Sequence, residues 1–263
     1  MVKVFTGTDN QFYMDGYLQS NLDSMKIAVA NDWDMLLIVD GYEGVGKSFF
    51  AHQIAYYCDP TLSIDRVVFS PNDFIATIKS AKKYQAVIYD EAYGGLSSRG
   101  TISNINKSIV KVLTEIRQKN LFVFIVMPSF FELDKYPAIH RSRALLHVYA
   151  GNEMTRGFFR FYNMSKKKTL YMTGKKFYSY KGVKANFYGR FPKFYPLDLE
   201  EYKKKKLFCT TRDEDTVERS DTIKKKLLTD ISKNLRDYYN FSVKDIRKVM
   251  DVSDQSVRNY LKT

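Results

Sequence analysis

The chain has 263 residues, 44% hydrophobic and 15% aromatic, with a net charge of +13. That composition supplies a core and excludes a globally disordered chain. Only Cys58 and Cys209 occur as cysteines, which excludes a disulfide scaffold or a cysteine zinc cluster and points to the cytoplasm; no opening segment reads as a signal peptide, and no apolar run nears the ~20 residues that span a bilayer.

An amphipathic helix is expected at about residues 15–29. The apolar run Met35-Leu36-Leu37-Ile38-Val39 then reads as a buried strand. Gly41-Tyr42-Glu43-Gly44-Val45-Gly46-Lys47-Ser48 follows it directly, and residues 49–57 read as a helix. Strand, glycine-rich turn and helix N-terminus together make a phosphate-binding loop. Glycines 41, 44 and 46 permit positive φ and close approach of backbone to oxygen. The backbone N–H groups from Gly41 through Glu43, Gly44, Val45 and Gly46 to Phe49 are expected to wrap the phosphates of ATP. Lys47 supplies a point charge to the β/γ-phosphates, and Ser48 offers a hydroxyl to Mg²⁺.

Arg66-Val67-Val68-Phe69 is a short strand, with Ser70 as N-cap and Pro71 as first residue of the helix after it. Residues 85–89 form a further strand ending at Asp90-Glu91. Carboxylates at strand ends lie where ligands bind in open α/β sheets. Asp90 is therefore expected in the Mg²⁺ shell, and Glu91 as the general base for the attacking water. A glycine-rich loop spans 94–100, and Ile105, Ile109, Val112, Leu113 and Ile116 recur at helical spacing over 104–119. Residues 121–127 and 145–149 are two more buried strands, the first closed by Pro128-Ser129. Alternating apolar strands and helices imply α/β architecture with a mostly parallel sheet. Phosphoryl transfer also gains from a cation on the γ-phosphate. Arg99, Arg117, Arg141 and Arg143 are candidates, with Arg141 and Arg143 ranked first.

The positive charge is uneven. Residues 1–150 are neutral, residues 151–208 carry +11 and residues 209–263 carry +2. The middle segment interleaves cations with rings, as in Phe158-Phe159-Arg160-Phe161-Tyr162 and Phe187-Tyr188-Gly189-Arg190-Phe191. Lysine and arginine neutralise phosphates and rings stack on bases, so nucleic acid, DNA in particular, is the expected partner. Period-two alternation is equally the pattern of a small β segment with rings inside and cations outside. Residues 209–221 read as a polar linker, and 222–263 as a helical domain.

That last domain has helix-turn-helix grammar. Ser242 caps one helix with Asp245 three residues on. Residues 250–252 form the turn, and Ser253 caps a second helix that buries Val257 and Leu261. Its open face carries Gln255, Ser256, Arg258 and Asn259, residue types that read base edges. An earlier helix over 222–238 buries Ile223, Leu227, Ile231 and Leu235.

Across residues 33–150, the loop, Val87-Ile88-Tyr89-Asp90-Glu91-Ala92, Arg117-Gln118-Lys119-Asn120, the strand to Pro128, Leu133-Asp134 and Arg141-Ser142-Arg143 resemble the RecA-like FtsK/HerA ATPases and the Zot-like proteins of phages and mobile elements. The resemblance implies a RecA-like P-loop fold, Mg²⁺-dependent ATP hydrolysis and a DNA substrate for packaging, transfer or replication. It also implies a homo-oligomeric ring in which an arginine reaches a neighbour's site. Ser129 stands where these ATPases carry a polar γ-phosphate sensor, although they usually place Thr-Gln after this strand. An ATP-switched DNA-binding regulator, helicase loader or partition protein is the alternative, and a small-molecule kinase fits the helix-turn-helix poorly.

Overall fold

The computed structural model describes residues 2–5, 11–90, 112–113 and 116–262. Glu91, Arg99, the loop at 94–100 and most of the helix expected over 104–119 lie outside the described residues. The chain divides into two compact units, residues 1–203 and 204–263.

In the first unit, β1 (Val2–Phe5) and β2 (Gln11–Met14) form an antiparallel hairpin. Asp15 then caps α1 (Gly16–Ala30) by accepting from the N–H groups of Tyr17 and Leu18. The main sheet contains β3 (Met35–Asp40), β4 (Val67–Val68), β5 (Ala86–Tyr89), β6 (Phe122–Met127), β7 (Ala144–Tyr149), β8 (Phe158–Asn163) and β9 (Phe187–Arg190). Its order is β4-β5-β6-β3-β7-β8-β9. The five strands from β4 to β7 run parallel, while β8 and β9 are added antiparallel. This is the mostly parallel α/β architecture expected from the sequence.

Period two divides the sheet residues between two faces. Leu37, Val39, Phe124, Val126, Leu146 and Val148 are all buried, on the face that α2 (Lys47–Cys58) covers. Leu36, Ile38, Val87, Val123, Ile125 and Leu145 form the other face, with Phe74 and Ile78 of α3 (Pro71–Ser80) and Leu170 and Tyr171 of α4 (Met164–Gly174). Ser70 caps α3 through the N–H of Asp73, with Pro71 at the first helical position.

Residues 151–208 do not make a sheet of their own. β8 and β9 extend the main sheet, and residues 164–174, inside the segment whose alternation suits β structure, form α4 instead. Asn163 caps that helix through the N–H of Lys166, and the glycine that would break it, Gly174, comes at its last position.

The chain from Leu199 to Asp237 is one helix, α5, in which the expected linker at 209–221 is helical backbone. That stretch contains neither glycine nor proline, so nothing local interrupts it. In the second unit α6 (Val243–Met250) and α7 (Asp254–Lys262) flank Asp251, whose φ and ψ of 50° and 49° are left-handed. Ser242 and Asp245 form a reciprocal capping box, and Ser253 accepts from the N–H of Ser256. Ile246 and Val257 are fully buried, whereas Val249 is exposed. On α5 the buried face differs from the expected one. Leu227 and Ile231 are exposed, while Thr229 and Ser232 are buried, and the Ser232 hydroxyl sits 3.2 Å from Met250 Sδ. A small residue at 232 permits that close contact, which a face centred on Ile231 would not.

Candidate nucleotide site

The loop after β3 has the backbone that its glycines allow. Gly41, Gly44 and Gly46 have φ of 144°, 77° and 100°. A Cβ on Gly41 would stand 2.1 Å from the carbonyl oxygen of Val148, so the loop passes against β7 with no room for a side chain. Gly46 is the N-cap of α2 and offers no side chain to its first N–H groups. Those donors therefore face the loop, as an anion site requires. Lys47 Nζ donates to the carbonyl of Tyr42 at 2.8 Å, which places the ammonium across the loop mouth.

The carboxylate strand ends beneath this loop. Asp90 is 1% exposed, and Ser48 Oγ donates to its Oδ1 at 3.2 Å. A hydroxyl and a buried carboxylate are hard oxygen donors of the kind Mg²⁺ takes, with its remaining positions left to water and phosphate. The donor set and the glycine cradle both fit Mg²⁺·ATP. Among the described residues no cluster of three or more His, Cys, Asp or Glu forms a separate all-protein metal site.

Aromatic groups close this corner. Tyr202 Oη donates to Asp90 Oδ2 at 2.6 Å. His52, fully buried on α2, places Nδ1 2.5 Å from the Ser48 carbonyl. Burial pushes its pKa down, against the opposing pull of Asp90 and the Ser48 carbonyl. The imidazole is therefore neutral, and Nδ1 must carry the proton to make that bond.

A second polar cluster lies where β3, β6 and β7 end. Asp40, fully buried, accepts from the N–H of Phe130 at 2.8 Å and from the Tyr180 hydroxyl, and lies 3.0 Å from His147 Nδ1. Tyr180 stacks on His147 with ring centroids 3.8 Å apart. This network fixes the turn after β6, in which Ser129 Oγ accepts from Phe131 N–H at 3.3 Å. Ser129 thus sits at the same sheet edge as the loop.

Arg141 and Arg143 do not. Arg141 pairs with buried Asp34 at 2.5 Å and donates to the Leu113 carbonyl at 2.7 Å. Arg143 stacks on Trp33 at 4.8 Å, and its N–H bonds the Leu36 carbonyl. Both flank the beginning of β3, whereas the loop follows its end, roughly 20 Å away at the rise of a strand. Parallel strands put all their starts at one edge, so arginines just before β7 fall opposite the loop. Arg156 is at the loop instead: its Nη2 lies 3.9 Å from where a Cβ on Gly44 would stand.

No protein-family model and no curated protein matches the chain. Solved structures do resemble it. The N-terminal domain of zonular occludens toxin from Neisseria meningitidis is 19% identical, with a TM-score of 0.39 over 50% of this chain and 84% of that one. The genome-packaging NTPase B204 of Sulfolobus turreted icosahedral virus 2, in complex with ATP-γS, is 12% identical, with a TM-score of 0.38 over 51% and 94%. AMPPCP-bound DnaA from Aquifex aeolicus is 12% identical, with a TM-score of 0.37 over 95% and 86%.

In the basic aromatic segment the alternation separates core rings from cations. Phe159 and Phe161 are core, and Phe50 of α2 stacks on Phe159 and Phe191 at 4.7 and 4.5 Å. The alternate residues carry cations laid over rings: Arg160 over Tyr149 at 4.7 Å and over Tyr188 at 5.7 Å, and Arg190 over Phe158 at 5.0 Å. In the second unit Gln255, Arg258 and Asn259 are exposed and Ser256 is half-buried on α7, with Gln255 Nε2 donating to Asn259 Oδ1 at 3.1 Å. Among the described residues no helix is long and apolar enough to cross a membrane.

Tyr202, His52, Arg156 and Asp40 were not singled out from the sequence. Asp40 had one legible signal, its place immediately before Gly41, and His52 follows Ser48 by one turn of α2. Tyr202 and Arg156 come to the site only through long-range packing.

Proposed function

We propose that this chain hydrolyses ATP and couples hydrolysis to movement or remodelling of DNA, as a phage or mobile-element protein serving packaging, transfer or replication. One observation carries the catalytic half: the hydroxyl of the loop residue Ser48 bonded to the buried carboxylate of Asp90. In this reading the backbone from Gly41 to Phe49 and the Lys47 ammonium hold the triphosphate, and Ser48 and Asp90 hold Mg²⁺. When bound, Mg²⁺ supplies charge to the phosphoryl oxygens. Glu91, next in sequence to Asp90, takes the proton of the water that attacks the γ-phosphorus, and ADP leaves with its bridging oxygen. Within one copy, Arg156 is the first arginine to consider for transition-state charge.

The DNA half rests on chemistry and charge. Residues 151–208 carry +11; on β9 Tyr188 and Arg190 are exposed, and Arg160 of β8 is half-buried beside them. Gln255, Ser256, Arg258 and Asn259 on α7 are residue types that read bases. A ring of copies would let an arginine of one subunit serve its neighbour. Residues 1–150 would be the ATPase part, with 151–208 and 222–263 holding DNA.

ATPase rate and oligomer mass, measured with and without single- and double-stranded DNA, test this reading. Stimulation by DNA is expected, together with loss of nucleotide binding in Lys47→Ala. Glu91→Gln is expected to bind ATP and not turn it over, and normal turnover in that variant would remove the base assignment. DNA affinity that does not fall with salt would remove the electrostatic half. Nucleotide-dependent DNA binding without turnover would describe a switch instead of a motor.

A further inference from the structure

The two oxygens of Asp90 have different partners. Oδ1 accepts from Ser48 Oγ at 3.2 Å, and Oδ2 accepts from Tyr202 Oη at 2.6 Å. Tyr202 lies 112 residues from Asp90, in the first turn of α5, and is 5% exposed. That turn is itself pinned, because Asp198 Oδ1 accepts from the N–H groups of Glu200 and Glu201 at 2.8 and 2.9 Å.

Three rings hold the phenol in place: His52 at 5.2 Å edge-on, Tyr195 at 5.4 Å and Phe69 at 5.7 Å. His52 is tied to the Ser48 carbonyl, so one turn of α2 supplies both the proposed cation-binding hydroxyl and a wall of the tyrosine's cage. The hydroxyl donates in a charge-assisted bond to a carboxylate.

The χ2 torsion of an aspartate is broad, so an unrestrained Asp90 would turn its oxygens freely. We propose that Tyr202 is a positioning residue for the divalent-cation site, clamping Asp90 Oδ2 so that Oδ1 stays directed at Ser48. The inference rests on the Mg²⁺·ATP reading above. Partners of this kind, which orient a metal-binding carboxylate, typically account for 10–100-fold in metal affinity.

Tyr202→Phe in the full chain keeps the ring and its packing and removes only the hydroxyl. Binding of ATP-γS is measured by calorimetry in EDTA and across a titration with magnesium chloride. In EDTA the two proteins are expected to bind equally. The magnesium midpoint of the variant is expected to lie about 10-fold or more above wild type. A residue with a merely structural role would lower affinity in EDTA as well. An unchanged midpoint, or one moved to lower magnesium because the phenol competes with the cation, overturns the proposal. If wild type itself binds ATP-γS identically with magnesium and with EDTA, the Mg²⁺·ATP reading fails and this inference falls with it.

Discussion

The Ser48 hydroxyl donates to Asp90 Oδ1 at 3.2 Å across 42 residues of sequence. A loop that binds phosphate and a strand that ends in a carboxylate are thereby joined into one site. Replacing either partner, as Ser48→Ala or Asp90→Asn, is expected to leave nucleotide affinity in EDTA unchanged. Both should raise the magnesium requirement by at least about 10-fold. Titration of nucleotide binding with magnesium chloride checks this.

Glu91→Gln separates binding from chemistry. Loss of a general base typically costs about 10²–10⁴-fold in rate. Steady-state turnover is expected to fall within that range while ATP-γS affinity is retained.

Gly41 is fixed by its surroundings as well as by its φ of 144°. Gly41→Ala places a methyl 2.1 Å from the Val148 carbonyl oxygen, so β7 and the loop must part. Overpacking of this kind costs about 1–3 kcal/mol. Urea unfolding should show that loss, and nucleotide binding should fall with it, because the loop cannot keep its shape.

The arginines divide into two kinds. Arg141 forms a buried ion pair with Asp34, and breaking such a pair by removing one partner costs about 3–5 kcal/mol. Arg141→Ala is expected to lower the unfolding midpoint while the folded fraction keeps its specific ATPase rate. Arg156→Ala, at an exposed position by the loop, is expected to leave stability within about 0.5 kcal/mol and to lower turnover. The reverse pattern would return the catalytic role to Arg141.

Lys167 is fully buried, and its Nζ donates to the carbonyls of Ala138 and Ile139. Burial first, and the charge of Arg143 second, push its ammonium down to about 8. The folded state therefore sheds this proton earlier than the unfolded chain, and the group adds stability as pH rises above about 8 towards the unfolded value. Lys167→Met removes that dependence. The stability difference between wild type and variant is expected to move by about 2 kcal/mol in favour of wild type between pH 7.5 and 9.5, at 1.36 kcal/mol per pKa unit. Urea unfolding of both proteins at the two pH values measures it.

Much of the fold was legible because its signals are local. Met35 to Val39 is an unbroken apolar run in a strand that ends at Asp40, directly before a glycine, and Ser70-Pro71 and Ser242 to Asp245 are caps formed within four residues of chain. Asp251, inside the turn expected at 250–252, is left-handed. Reading failed where a pattern admits two placements. The apolar run Leu170-Tyr171-Met172 satisfies a helix as well as a strand once Asn163 caps it. The stripe on α5 is set by Ser232 against Met250, a choice that the apolar residues alone do not reveal.

By itself, the sequence determined the glycine loop with its lysine and serine, the acidic strand end, the order of strands along the chain and the excess of positive charge after residue 150. Each depends on residues within a few positions of one another, where backbone sterics and hydrogen-bond reach act directly. Only the tertiary structure decided which groups meet. It brought Tyr202 to Asp90, Arg156 to Gly44 and Arg141 to Asp34, and it put the two favoured arginines at the sheet edge opposite the loop of their own copy. Strand order and crossovers govern such meetings, because a parallel sheet collects every strand end at one edge and every start at the other.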